Sequence, residues 1–412
     1  MASKKTRNDG DDLRGASRLA VEATKSVTDL VEAMHHAIGG GPDLLGRPLA
    51  VPVRLMTAPV YGSIRAITKL VGVTLDVALA QLQPLLGERT PGPEREAVIA
   101  ALNGVLGDYL AKTGNPLAIE MRLHHEGHPL TLDEASLRES LSRVGGKLLV
   151  LVHGSSMNDL QWLRRGHDHG AALARDLGYT PVYLHYNSGL HISANGRSLA
   201  DLLERAVLAW PAPIDELVLL GHSMGGLVSR SACYYGEVAN HVWRSKLRKM
   251  ICLGSPHHGA PLERGGNWVD VLLGISRYSE ALTRLGQIRS CGVTDMRFGN
   301  VVDEHWEGVD RFAFGKDTRT PLPLPEGVAC YAVAATTGLD AGGKLPGDGL
   351  VPVDSALGRH IKPELTLAFP EAHRSIAYGT GHLDLLDRPE VYRTIASWLA
   401  SEPITPAGTI ST

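Results

Sequence analysis

One stretch of this chain constrains its fold more than any other. An apolar run, Glu216–Leu220, leads into Gly221-His222-Ser223-Met224-Gly225, and an apolar helical pattern follows. The run predicts a buried strand, so the chain must turn within a few residues while Ser223 occupies the tip of the turn. Gly221 and Gly225 lack a Cβ and let the backbone cross itself closely there. The pattern therefore predicts a strand, a tight turn and a helix, with the Ser223 hydroxyl presented above the sheet.

A serine activated as a nucleophile needs an acid and a histidine, which in this strand–turn–helix setting follow it in that order. The acid candidate is Asp348, which lies between two glycines in a loop after a predicted strand at 329–335. An ordinary Asp-Gly turn is the alternative interpretation of that local pattern. Asp354 is the nearest competitor for the role, and Asp340 is a weaker one. Position in the chain favours Asp348.

The histidine candidate is His382, which lies in a Gly-rich loop ahead of a closing helix predicted at 389–399. His360 and His373 compete with it, but neither lies in a comparable strand-to-helix loop. Neutral His382 can take the proton from Ser223 and return it to a leaving group. The carboxylate would fix the imidazole tautomer and stabilise the imidazolium.

Two backbone N–H groups are needed to stabilise an oxyanion beside such a serine. One is that of Met224, directly after Ser223. The second is expected in the segment that follows the predicted strand 147–152, where Ser155 is the first candidate and Ser156 is the alternative. The remaining candidates for contacts to a substrate are His153, Gly154, His222 and Trp268.

Strands and helices alternate along most of the chain. Strands are predicted at 147–152, 181–185, 216–220, 249–253 and 329–335, helices at 168–177, 198–209 and 226–235, and an antiparallel entry hairpin at 118–125 and 129–132. Alternation of this kind predicts an α/β fold with a mainly parallel sheet flanked by helices, and ligand sites at the carboxyl ends of the strands. All the candidate catalytic loops follow such strand ends.

The chain is expected to comprise a tail at 1–14, a helical N-terminal extension at 15–112, an α/β domain at 113–403 and a tail at 404–412. Three apolar stripes mark the extension. They predict helices that dock on each other, on the α/β domain, or on a lipid or polymer interface. Alternation lapses at about 259–327, which predicts a cap insertion over the site. A plain surface excursion is the alternative.

Composition excludes several function classes. The chain has 41 Lys and Arg against 44 Asp and Glu, a net charge of −3, which gives no electrostatic argument for nucleic acid or an anionic membrane. The four cysteines are scattered and are expected to be reduced. The polar N-terminus lacks the apolar segment of a secretory signal, so we expect a cytoplasmic protein.

No cofactor or metal is expected. His167 and His169 are not accompanied by a complete set of four ligands, and neither is the pair at 257–258. His124, His125 and His128 fall on the entry hairpin and are expected to be solvated. The sequence does not indicate an oligomeric state.

Residues 118–400 resemble the α/β-hydrolase superfamily, in its lipase and esterase branch. The resemblance to bacterial triacylglycerol lipases and to the GPI inositol-deacylase-like group rests on five motifs: His153-Gly154, Gly221-His222-Ser223-Met224-Gly225-Gly226, Gly254-Ser255-Pro256-His257-His258-Gly259, Asp348-Gly349-Leu350-Val351-Pro352 and Gly381-His382-Leu383-Asp384. It implies hydrolysis of acyl esters, lipid-like or polyester, through an acyl-enzyme. Two alternatives stay open: an acyltransferase that uses the same acyl-enzyme, and a non-enzymatic partner-binding protein.

Overall fold

The computed structural model describes residues 92–141, 144–260, 290–309, 317–342 and 345–401. The predicted tails, the first two helical stripes of the extension, most of the predicted cap and the candidate residue Trp268 lie outside these ranges. The domain boundaries given above therefore remain expectations.

A mixed β-sheet forms the centre of the described part of the chain. Its strands are β1 (Arg122–His125), β2 (His128–Pro129), β3 (Lys147–Val152), β4 (Thr180–His185), β5 (Glu216–His222), β6 (Leu247–Leu253), β7 (Ala329–Ala335) and β8 (Arg374–Ala377). Their order across the sheet is β2-β1-β4-β3-β5-β6-β7-β8. β1 runs antiparallel to both of its neighbours, and all the other pairs are parallel.

Helices connect the strands and flank the sheet. They are α1 (Pro93–Lys112), α2 (Glu134–Ser140), α3 (His169–Leu177), α4 (Ile192–Ala209), α5 (Met224–Val238), α6 (Cys291–Asp295), α7 (Val353–Ala356) and α8 (Pro389–Ala400). Among the described helices, none is long and apolar enough to cross a bilayer.

The continuous apolar runs of the strands are explained by burial on both faces of the sheet. Leu217 and Leu219 pack in one core cluster with side chains of α4 and α5. Val218 and Leu220 point to the opposite face and pack in a second cluster that includes side chains of α3 and α8. Successive side chains of a strand point to opposite faces, so a strand covered on both sides is apolar at every position.

The predicted fold class is confirmed, and the five long strands lie where the sequence placed them to within about two residues. Gly178 ends α3 with φ 74°, the left-handed conformation that glycine adopts readily at the end of a helix. The structure adds β8, which is not among the predicted strands, and it begins α4 at Ile192, six residues before the predicted start at 198. The entry hairpin is shorter than predicted because only 122–125 and 128–129 pair.

The last helix of the predicted extension packs on the α/β body. The Asn187 side chain donates to the Gly107 carbonyl at 2.9 Å, and the Ser290 hydroxyl donates to the Gly104 carbonyl at 2.6 Å. The apolar stripes left several docking surfaces open, and α1 docks on the α/β body.

Buried histidines make the stability of this fold sensitive to acid. Burial lowers the pKa of His153 to about 3 and that of His169 to about 4, whereas in the unfolded chain imidazole returns to about 6.5. Below that pH these histidines bind protons in the unfolded state but stay neutral in the folded state until the pH approaches their lowered pKa values. We therefore predict that the free energy of unfolding falls as the pH is lowered from about 6.5 to 4, by up to about 1.4 kcal/mol per pH unit for each such histidine.

Urea denaturation at a series of pH values measures this slope. His169→Gln should reduce the slope by about one proton, because it removes one buried imidazole. His128→Gln is the matched control, since that side chain is exposed, and it should leave the slope unchanged. Equal slopes for native protein and His169→Gln would contradict the prediction.

Candidate active site

Ser223 lies at the tip of the predicted turn, between β5 and α5. Its backbone has φ 53° and ψ −122°, a conformation that non-glycine residues rarely adopt. The two flanking glycines are required by close contacts. A Cβ on Gly221 would lie 2.5 Å from the Gly226 nitrogen, and one on Gly225 would lie 2.0 Å from the Val152 carbonyl oxygen. The turn is thus pressed against its own helix and against β3.

Asp348 and His382 are brought together over the same edge of the sheet. His382 Nδ1 lies 2.7 Å from Asp348 Oδ2, and the His382 backbone N–H donates to the Asp348 carbonyl at 3.0 Å. The other carboxylate oxygen accepts the N–H groups of Leu350 and Val351 at 2.9 and 2.7 Å. Both partners are buried. The carboxylate is therefore fixed by the backbone and presents one oxygen to the imidazole.

The competing residues have other partners. The Asp354 side chain is 73% exposed and lies 3.5 Å from Arg359, while Asp340 accepts a local backbone N–H. His373 stacks on Tyr331 and lies 3.1 Å from a carbonyl of β7. His360 lies 3.8 Å from the Asp317 carboxylate, away from Asp348.

The His382 ring lies beside the turn that carries Ser223. Its ring centre is 4.8 Å from that of His222, whose Nε2 lies 3.2 Å from the His382 carbonyl oxygen. A Cβ on Gly254 would lie 3.3 Å from His382 Cε1 and 3.3 Å from the Asp348 carboxylate. Within the described residues, His382 Nε2 is buried and has no hydrogen-bond partner. That nitrogen is the atom through which a base would take a proton, and such bonds are often loose before substrate binds.

The segment after β3 carries both candidates for the second N–H group. A Cβ on Gly154 would lie 3.1 Å from Ser223 Cβ, so this segment touches the turn directly. The Ser156 N–H donates to the Ser188 hydroxyl at 3.0 Å. In the described part of the chain, the N–H groups of Ser155 and Met224 donate to no acceptor. Of the two alternatives for the second donor, Ser155 therefore has the free N–H.

The two histidines predicted to contact a substrate, His153 and His222, have buried rings that pack on other aromatic side chains. The His153 ring is buried and stacks on Tyr186, with ring centres 4.3 Å apart. The His222 ring is buried between Trp162 and His382, and burial lowers its pKa well below the ordinary value. Both imidazoles thus serve packing and orientation, so their side chains are less suited to substrate contact than the sequence suggested.

Charged residues to which the sequence assigned no role hold the segment of His382. Arg164 and Arg165 pair with Asp384 and Asp387 at 3.1–3.6 Å. His169, in the same region of the chain as the arginines, lies 2.9 Å from the carbonyl of Leu385. These contacts tie the short 3₁₀ helix that begins at His382 to the connection between β3 and α3. The sequence shows two adjacent arginines and, far along the chain, two aspartates close to each other. Nothing in the sequence indicates that these two pairs meet.

A buried clamp links the entry hairpin to the segment after β3. His124 Nδ1 lies 2.9 Å from Asp159 Oδ2, and His185 Nδ1 lies 2.8 Å from Asp159 Oδ1. Burial acts to raise the pKa of Asp159, but the hydrogen bonds from the two histidines outweigh it and hold that pKa below its ordinary value. The expectation that His124 is solvated was wrong, because Asp159 and His185 enclose it.

This trio has the donor atoms of a metal site, which lie within 4.8 Å of one another. The two rings are stacked, with centres 4.6 Å apart and planes at 9°. A metal ion bonds an imidazole in the plane of its ring, so two parallel stacked rings do not converge on one ion. The arrangement fits a hydrogen-bonded clamp on Asp159.

Part of the chain matches a known protein family. Residues 143–322 match the family model described as PGAP1-like alpha/beta domain. Comparison with curated protein sequences gives no match.

Among solved structures, the mature lipase BlEst2 of Bacillus licheniformis is 17% identical, with 63% of this chain and 95% of that chain covered and a TM-score of 0.41. Lipase B of Aspergillus fumigatus is 13% identical, with 67% and 59% covered and a TM-score of 0.41. A thermophilic esterase from Thermogutta terrifontis is 15% identical, with 62% and 90% covered and a TM-score of 0.34. All three likenesses are distant.

Features of the chain itself identify its fold. A mainly parallel eight-stranded sheet carries a strained serine between β5 and α5. A histidine–aspartate pair lies in the loops that follow later strands. Together with the family-model match over 143–322, these features show the α/β-hydrolase fold.

Proposed function

We propose that this protein is a serine hydrolase that cleaves carboxylic esters through an acyl-enzyme on Ser223. One observation carries the proposal: the buried pair of His382 and Asp348, joined at 2.7 Å, lies beside a serine held at positive φ. A free imidazole nitrogen, a fixed carboxylate and a strained serine are the parts that this chemistry needs.

In the proposed reaction, Ser223 Oγ attacks the ester carbonyl carbon while His382 Nε2 takes the hydroxyl proton. The carbonyl oxygen becomes an oxyanion, which the N–H groups of Ser155 and Met224 stabilise. The amino end of α5 points at the same place and adds to this field. His382 then gives the proton to the leaving alcohol oxygen, and the carbon–oxygen bond of the ester breaks.

A water molecule completes the cycle. His382 takes a proton from the water as it attacks the acyl-enzyme, and the resulting hydroxyl adds to the acyl carbon. The bond to Ser223 Oγ breaks, and His382 returns the proton to that oxygen. Asp348 holds the imidazole in the tautomer that these transfers require and stabilises its charged form. We propose lipid-like or polyester substrates for this site.

Ser223→Ala should lower kcat on the order of 10⁴–10⁶-fold, because it removes the attacking oxygen. The measurement is hydrolysis of p-nitrophenyl esters from acetyl to long-chain acyl groups, together with a polyester film. Ser229→Ala is the matched control. That serine is also buried, within α5, and among the described residues its hydroxyl donates to the Gly225 carbonyl at 2.8 Å. Retention of more than about a tenth of the activity in Ser223→Ala would exclude the proposed nucleophile.

Asp348→Asn should lower kcat by about 10²–10⁴-fold, because an amide at this place favours the wrong tautomer of His382. Asp354→Asn makes the same chemical change at an exposed position and should leave the rate within about twofold of native. Steady-state kinetics of both variants on one soluble ester give the two kcat values to be compared. A larger loss in Asp354→Asn would transfer the role of the acid to that residue.

A further inference from the structure

The helix α1 precedes the segment that matches the family model, yet it is part of the protein's interior. Every residue from Val98 to Gly107 is buried. This run of ten residues makes nearly three helical turns, so neighbouring elements cover all sides of the helix. Several of these neighbours are the loops at the carboxyl ends of β3 and β4.

Gly104 of α1 lies in close contact with Ser156. A Cβ on Gly104 would lie 2.0 Å from the Ser156 hydroxyl oxygen and 2.8 Å from Ser156 Cα. Glycine in a helix interior costs roughly 1 kcal/mol relative to alanine. In α1 this destabilising residue lies at the point where the helix backbone contacts the loop that holds Ser156.

Ser156 follows Ser155 directly and is itself strained. Its φ is 60°, and its N–H is held by the Ser188 hydroxyl at 3.0 Å. A non-glycine residue stays in such a conformation only when its surroundings fix it. Gly104 and Ser188 are two of those surroundings, and they act on the residue next to the proposed oxyanion donor.

The helix is in turn fixed from two other directions. Ser290 donates to the Gly104 carbonyl at 2.6 Å, and Asn187 donates to the Gly107 carbonyl at 2.9 Å. A Cβ on Gly189 would lie 2.2 Å from the Asn103 carbonyl oxygen. The position of α1 is therefore determined on both sides of its contact with Ser156.

We propose that α1 is a positioning element of the active site, which through Gly104 holds Ser156 so that the Ser155 N–H points at the oxyanion. This inference rests on the proposed function and assigns a catalytic purpose to the end of the N-terminal extension. Gly104 acts through Ser156 and touches no reacting atom. A misplacement of about 1 Å at such a donor can cost on the order of 100-fold in rate.

The test is Gly104→Ala in the full-length protein. The added methyl group displaces Ser156, so kcat on p-nitrophenyl acetate should fall by about 10–100-fold while KM stays within about threefold. The affinity for a trifluoromethyl ketone, whose adduct carries the oxyanion, should fall by the same factor as kcat. A second change, Ser156→Gly, removes the hydroxyl contact and lets the backbone shift away from the contact at Cα, so the double variant should regain part of the loss.

Gly236→Ala is the matched control for general destabilisation. It also places a methyl group in a tight contact inside a helix, 2.6 Å from the Trp243 ring. That contact lies 13 residues along α5 from Ser223, about 20 Å away, so kcat should be native. If Gly104→Ala does not fold, Ser290→Ala removes one support of the helix and should lower kcat by several fold at constant KM.

Native kcat in folded Gly104→Ala, or an equal loss in Gly236→Ala, would overturn this inference and leave the proposed function intact. Failure of the second change to restore activity would also count against it. A native protein that neither hydrolyses esters nor reacts with a fluorophosphonate would overturn the proposed function, and this inference with it.

Discussion

The close approach of the Ser223 turn to β3 is the constraint on which the rest of the site depends. A Cβ on Gly225 would lie 2.0 Å from the Val152 carbonyl oxygen, so no side chain fits between the turn and the end of β3. This contact places the segment after β3 against the serine and supports the strained φ of 53°. Parallel pairing of β5 with β6, β6 with β7 and β7 with β8 then aligns the strand ends from which the proposed acid and base approach.

Around that constraint, the proposed catalytic groups are held by separate supports. The Asp348 carboxylate is bonded by two backbone N–H groups of its own loop. The segment of His382 is held by arginines from the connection after β3. The far end of the segment that carries Ser155 is fixed by the clamp on Asp159. Each support comes from a different part of the chain, which is how a site on loops keeps the geometry that its chemistry needs.

Much of this arrangement could be predicted from sequence, because its signals are local. Short patterns, and the order in which they occur along the chain, predict the five long strands, the glycine-flanked Ser223 and the order of Asp348 and His382. The clamp could not be predicted, because His124 and Asp159 meet only when β1 pairs antiparallel with β4. The role of α1 was missed for a similar reason: its apolar stripe indicates burial but does not name the partner. Gly104 was the available signal, since a glycine within a helix often marks a close contact.

Activation of Ser223 by His382 can be tested by the rate of fluorophosphonate labelling as a function of pH. The adduct should map to Ser223 by peptide mass spectrometry, and the rate should fall in acid as one imidazole takes up a proton. In His382→Gln the labelling should be slow and independent of pH. His222→Gln should keep the acid limb, because burial already lowers the pKa of His222 well below the ordinary value. Labelling of His382→Gln at the native rate, with the same dependence on pH, would contradict the account.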